Sequence, residues 1–238
     1  MKKVGIIGGL GPEATMDYYK EIISGFNNIN TTAMLDYPEI IIYSVNMSKF
    51  IGYLQDENYF KASLYISNCI NKLEIAGVDF AVISANTPHL LFDNIKASCN
   101  VPLISIVESC ALEARELKLK RCGLLGTGFT MKNDFYEKVF QNYSIEIIAP
   151  DETQIEKINY RLFNELELGI FKKETEKEIL DIVNIMKENH QIDSIILGCT
   201  EFPLMFKKEE YLGIPFLNTT KIHVNAIIEA CIENKQLK

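Results

Sequence analysis

The chain repeats itself, and that repeat restricts its fold more than any other feature. Val4-Gly5-Ile6-Ile7-Gly8-Gly9 is echoed by Cys122-Gly123-Leu124-Leu125-Gly126-Thr127. Val82-Ile83-Ser84-Ala85-Asn86-Thr87-Pro88-His89 is echoed by Ile196-Leu197-Gly198-Cys199-Thr200-Glu201-Phe202-Pro203. The offsets are about 118 and 114 residues, roughly half of the 238 present. Each segment is a short apolar run ending in small polar residues, the pattern of a buried strand entering a loop or a helix start. Strands are expected at about 3–8, 39–45, 79–84, 101–105, 121–125, 144–148, 193–197 and 214–217. Helical patterns fall between them, at roughly 12–26, 58–76, 88–98, 106–117, 131–141, 153–168, 173–189, 201–208 and 219–234. The apolar stripe is clearest between Phe60 and Leu73, with Leu64, Ile66, Ile70 and Leu73. Alternating strands and helices imply parallel sheets covered on both faces, with ligands at the carboxyl ends of strands. The expected architecture is α/β: two similar parallel-sheet half-domains related by a pseudo-twofold axis, with an active site in the cleft between them. Residues 1–100 plus 214–238 are assigned to the first half and 101–213 to the second.

Composition narrows the function. The chain is 47% hydrophobic and 24% charged, ordinary for a globular protein. A net charge of −8 and a pI near 5.1, with no basic block, argue against a nucleic-acid partner. No apolar run approaches a membrane span. The charged start runs straight into a glycine loop, so it reads as a first strand and not a signal peptide. The six cysteines, Cys69, Cys99, Cys110, Cys122, Cys199 and Cys231, show neither CxxC nor metal-ligand spacing, so no metal is expected. They read as reduced residues of a cytoplasmic protein.

Four segments carry chemistry. Gly8-Gly9-Leu10-Gly11-Pro12-Glu13-Ala14 leaves a strand and opens a helix, with Pro12 suited to the first turn. It formally fits a dinucleotide fingerprint, but it also fits a plain tight turn or a carboxylate-binding helix start. The acidic partner of a dinucleotide would be Asp36, which precedes the second strand instead of ending it. Leu10 and Gly11 are placed at the mouth of the cleft. Thr127 and Thr130 occupy the equivalent loop of the second half, as hydroxyl donors or helix caps. Cys199 ends a buried strand at a helix start, where the helix dipole and backbone N–H groups favour a thiolate. Thr200 and Glu201 are suited to capping that helix or holding a substrate amine. Asn86 and Thr87 offer donors for a carboxylate, and His89 fits either a cap or an acid–base role. Lys49 and Gln55 are read as loop residues after the second strand, with Gln55 a candidate substrate contact. His190 is expected in solvent, and His223 is open between a structural and a site role.

Taken together, GGLGPEAT at 8–15, ANTPH at 85–89, GTGFTMKNDFY at 126–136, NELELG at 164–169, LGCTEFPL at 197–204 and FLNTTKIH at 216–223 resemble the aspartate/glutamate racemase family. The resemblance implies a cofactor-independent enzyme, commonly a homodimer, acting on a small amino-acid substrate. One acid–base residue from each half would serve one face of the α-carbon. It also implies that Cys199 is one acid–base thiol, and that Asn86, Thr87 and Thr200 hold the α-carboxylate while Glu201 contacts the ammonium. The chain departs from the common pattern in two places. Ala85 stands where the first cysteine is usual, and Asn218 stands where aspartate often precedes Thr-Thr. Thr87 is the substitute taken for the second catalytic role, with Ser84, His89 or a water as alternatives. Three activities remain open on this reading: racemisation of an acidic amino acid, one-sided lyase or decarboxylase chemistry by a single cysteine, and amino-acid binding without turnover.

Overall fold

In the computed structural model, which describes residues 1–29 and 36–232, the chain divides into two compact α/β units. The first comprises residues 1–106 and the chain from His223 onward; the second comprises Val107–Ile222. Two ranges expected from the sequence, the helix 219–234 and the half-domain 214–238, extend beyond the described residues at their C-terminal ends.

The first unit is built on a four-stranded parallel sheet of order β2-β1-β3-β4. Its strands are β1 (Val4–Gly8), β2 (Ile40–Ser44), β3 (Phe80–Ile83) and β4 (Leu103–Ile104). Its helices are α1 (Pro12–Ile29), α2 (Met47–Gln55), α3 (Tyr59–Ile75) and α4 (Phe92–Ala97), with a 3₁₀ turn over Thr87–Leu91. Along α1 the buried residues are Ala14, Thr15, Tyr18, Ile22 and Phe26, one face of a 3.6-residue period. On α3 the buried phase runs through Ala62, Ile66, Ile70 and Leu73, which turns the expected stripe member Leu64 into solvent together with Phe60. The region read as a loop after β2 is the helix α2, started by Asn46, whose side chain accepts the Lys49 N–H at 3.0 Å.

The second unit holds β5 (Arg121–Gly126), β6 (Glu146–Ile148), β7 (Ser194–Gly198), β8 (Glu210–Tyr211) and β9 (Ile214–Asn218), in the order β6-β5-β7-β9-β8. Its helices are α5 (Ile106–Glu116), α6 (Gly128–Lys132), α7 (Phe135–Gln141), α8 (Glu152–Asn164), α9 (Lys173–His190) and α10 (Phe202–Met205). The helix expected over 131–141 is therefore two short helices, and the one expected over 201–208 is a single turn. All pairings are parallel except β8 with β9. The first four strands repeat the order of the first sheet, β5 for β1, β6 for β2, β7 for β3 and β9 for β4. An aspartate marks the same joint in both. Asp79, just before β3, accepts the Lys3 N–H at 2.6 Å, and Asp193, just before β7, accepts those of Lys120 and Arg121 at 2.6 and 3.2 Å.

The strand at 214–218, assigned from sequence to the first half, pairs with β7 in the second sheet. Only the helix that follows, α11 (Thr219–Ile232), reaches the first unit's core. There Val224, Ile227, Ile228 and Cys231 join Val4, Ile6, Tyr18, Ile22 and Phe26 in one buried cluster. Burying each large apolar side chain of this kind contributes about 1.5–3 kcal/mol relative to exposure.

The same helix places His223 in that core, fully buried. The Ile104 carbonyl can only accept, so His223 Nε2 carries the proton and donates to it at 3.1 Å; Nδ1 then accepts the Tyr18 hydroxyl at 2.8 Å. Tyr18→Phe should leave Nδ1 buried without a donor and lower stability by about 1–3 kcal/mol, read as a drop in the urea midpoint at constant m.

Candidate functional site

Two of the four strand ends that the sequence singled out sit in the second unit. Residues Gly126 and Gly198 are register partners on β5 and β7, so the loops that follow leave the sheet side by side. At Gly198 a Cβ would lie 2.8 Å from the Leu125 carbonyl oxygen, which is why glycine ends the strand here. After β5, Thr127 accepts the Thr130 N–H at 3.2 Å and starts α6, and the two hydroxyls lie 3.2 Å apart. Both threonines are buried, and Thr127 is the cap of α6.

After β7, Cys199, Thr200 and Glu201 are brought together, all buried. The Cys199 thiol donates to Glu201 Oε2 at 2.8 Å, and the Thr200 hydroxyl donates to the same oxygen at 3.0 Å. Glu201 does not cap α10 with its side chain. A third group was not picked out from the sequence. Glu167, half-buried in the 3₁₀ turn Leu166–Leu168 beyond α8, brings its carboxylate within 4.8 Å of the Cys199 sulfur and the Glu201 carboxylate. It lies within NELELG, but sequence separation from Cys199 hid the contact. Its neighbour Glu165 does structural work, accepting from Arg161, Thr175 and Lys172 at 2.7, 2.5 and 3.0 Å.

The electrostatics differ from the sequence expectation. Burial pushes the Cys199 thiol well above its ordinary range, and the Glu201 and Glu167 carboxylates push it further. The helix that follows is only Phe202–Met205, too short to offset this with its dipole. The resting sulfur is therefore a thiol that donates a hydrogen bond, not the thiolate expected from a helix start. Burial, then the Glu201 charge, also holds Glu167 up at about 7. Among the described residues, Glu167, Cys199 and Glu201 are the cluster whose donor atoms converge as a cation's ligands would. The Cys199 S–H already points at Glu201, so the sulfur is hydrogen-bonded to a carboxylate within this cluster.

In the first unit, the loops after β1 and β3 are also neighbours, joined where Ser84 donates its N–H and hydroxyl to the Ile7 carbonyl at 3.0 and 3.1 Å. Gly9 takes φ +82°, which side chains rarely adopt, and donates its N–H to Thr15 Oγ1 at 2.9 Å. That N–H is thus committed within the turn, which weakens the nucleotide reading. Leu10 is partly exposed and Gly11 buried. After β3, Ala85 and Asn86 are buried and Thr87 is partly exposed. His89 Nδ1 donates to the Ala85 carbonyl at 3.0 Å, and Nε2 accepts the Ile106 N–H at 3.3 Å. Both ring nitrogens are in use, so His89 holds this turn in place. Gln55, read as a loop residue, is the exposed last residue of α2, and Lys49 lies on the same helix with its ammonium 4.7 Å from the Tyr65 ring centre. His190 ends α9 in solvent. All six cysteines are free. Among the described residues no helix is long and apolar enough to cross a membrane.

Comparison with known proteins gives the family. A broad specificity amino-acid racemase, RacX, from Bacillus subtilis is 30% identical over 152 residues, covering 63% of this chain and 66% of its own length. A glutamate racemase from Aquifex pyrophilus is 29% identical over 154 residues, 63% of this chain and 57% of its own length. The alignment thus spans less than two thirds of either curated relative. Among solved structures, an aspartate racemase homologue from Pyrococcus horikoshii superposes with a TM-score of 0.84 at 35% identity, covering 98% of this chain and 100% of that one. The family model described as Asp/Glu/Hydantoin racemase matches residues 7–227, and the chain belongs to that family.

Proposed function

We propose that this protein is an amino-acid racemase that moves the α-proton of aspartate or glutamate without an organic cofactor, with Cys199 as the acid–base thiol. The observation that carries the reading is the Cys199 S–H held 2.8 Å from a buried carboxylate at the end of β7. An α-hydrogen beside a carboxylate is only weakly acidic. Its removal needs a base in a desolvated position and donors aimed at the developing enediolate. Thr200 is the hydroxyl beside the thiol that this reading assigns to the α-carboxylate. At the corresponding strand end of the first unit, Asn86 and Thr87 are assigned to the same task. Leu10, Gly11, Thr127, Thr130 and Gln55 remain proposed substrate contacts. Ala85 has no proton to give, so Thr87 is the group assigned to proton return. A homodimer is the expected assembly.

The test is proton NMR of L- and D-aspartate and glutamate, with a neutral and a basic amino acid beside them, in D2O. The expected result is loss of the α-proton signal together with the opposite enantiomer on chiral chromatography. Exchange without inversion would favour one-sided chemistry by Cys199, the alternative that Ala85 supports. No exchange from any of them would overturn the proposal.

A further inference from the structure

Glu165 and Glu167 stand two residues apart, and their surroundings treat them oppositely. Thr175, Lys172 and Arg161 hold the buried Glu165 carboxylate down at about 2. Both cations of that stretch are used there, Arg161 at 2.7 Å and Lys172 at 3.0 Å, and Arg161 also pairs with Glu178 at 2.8 Å. Glu167 is left without a hydrogen bond or an ion pair among the described residues, while burial and then the Glu201 charge raise it to about 7. Its carboxylate is turned into the Cys199 cluster instead, within 4.8 Å of the sulfur and of Glu201. The segments that leave β5, β6 and β7 at that end of the sheet, 127–131, 149–151 and 199–201, contain no lysine, arginine or histidine. Lys132, which follows the first of them, is paired with Glu152. The second unit thus supplies two carboxylates at the thiol and no cation to offset the one that has no partner.

We propose that Glu167 selects the substrate's side chain, and that the site also takes amino acids carrying a side-chain ammonium, in preference to aspartate or glutamate. The inference rests on the racemase reading above and extends its substrate range. The charge count favours a diamino acid. Every amino acid brings one α-ammonium, which offsets one of the two carboxylates beside Cys199. A side-chain ammonium offsets the second. A side-chain carboxylate instead adds a third negative charge in a partly desolvated place, where like charges repel far more than in water. Discrimination of this kind comes from the repulsion as much as from the attraction. The reach is short, because Glu167 stands within 4.8 Å of the sulfur that must meet the α-carbon's hydrogen. An ammonium on a short methylene chain meets that carboxylate without leaving the site. The chemistry at the α-carbon is unaltered by the side chain. One proton leaves it while the C–H electron pair stays on the substrate, and one proton returns to the opposite face, with nothing consumed.

The test compares three substrates by kcat/KM for α-deuterium exchange: ornithine, norleucine and glutamate. Norleucine is close to ornithine in shape, with a methyl group in place of the ammonium. With the wild-type protein, ornithine should exceed both of the others by about tenfold or more. Glu167→Gln keeps the shape and removes the charge. The ornithine-to-norleucine ratio should then fall by about tenfold, chiefly through KM, while the glutamate-to-norleucine ratio rises. Glu167→Lys should go further and place glutamate above ornithine. Each ratio is taken on one preparation, so a general loss of folded protein cancels. Ratios unmoved by both substitutions overturn the assignment, because a carboxylate with a purely structural role lowers every substrate alike. Wild-type exchange of glutamate or norleucine without exchange of ornithine overturns it too, and leaves the racemase reading standing. No exchange of any of the three by the folded wild-type protein removes the racemase reading first, and the inference falls with it.

Discussion

Replacing Cys199 by serine should lower amino-acid α-proton exchange by about 10³-fold or more while shifting the melting temperature by only a few degrees. The two expectations have separate causes. A hydroxyl is far less acidic than a thiol, so the same site cannot ionise it to a useful extent, and each factor of ten lost corresponds to about 1.4 kcal/mol of barrier. The serine hydroxyl is slightly smaller and can still donate to Glu201 Oε2, so no buried acceptor is left without a partner at this position. Exchange rate and thermal midpoint measured on one preparation check both halves. A serine variant with near-wild-type exchange would remove Cys199 from the mechanism.

Mild acid should unfold the first unit. His89 and His223 are fully buried with neutral rings, held down at about 4 and about 3 mainly by burial. His89 adds to the depression of His223. An unfolded chain protonates histidine near its ordinary 6.5, whereas the folded unit refuses the proton until far lower. Between those limits the unfolded state binds more protons, so stability is full above about 6.5 and falls as pH drops. At about pH 4.5 each ring should have cost about 2–3 kcal/mol, a large part of the 5–15 kcal/mol typical of a domain. Hydrogen exchange at pH 7, 5.5 and 4.5, read peptide by peptide, should show protection lost in β1, β3, α1 and the C-terminal part of α11. Protection unchanged down to pH 4.5 would mean that the rings accept protons without breaking their hydrogen bonds. Glu167 runs the other way: with its carboxyl raised to about 7, acid relieves a charge in the second unit. The two units should therefore part company as pH falls.

The sequence repeat was enough to place both sheets and the loops that leave them, because buried parallel strands are short apolar runs that punctuate themselves with glycine. It carried the strand ends at Gly8, Ile83, Gly126 and Gly198, and with them the positions of Ala85, Thr127 and Cys199. What it did not carry was partner choice over distance. The strand at 214–218 has the same apolar character whichever sheet it joins, and nothing local to it marks its pairing with β7. Glu167 could not be tied to Cys199 for the same reason, since α9 and β7 intervene. The state of the thiol was misjudged because the helix after it is one turn long and two carboxylates converge on it, neither of which a local motif reveals. Helix α2 was missed because its cap, Asn46, lies in a stretch whose polar residues read equally well as a turn.

Because β9 belongs to one unit and the rest of α11 closes the core of the other, the order of synthesis separates them. A nascent chain has the whole second unit out once residue 222 has emerged. The first unit, begun more than a hundred residues earlier, still lacks Val224, Ile227, Ile228 and Cys231. During translation its sheet must wait with an apolar face uncovered, a period in which it depends on chaperones or on speed. A premature stop just after residue 222 would leave the Cys199 cluster fully encoded and the older half of the protein unable to complete itself.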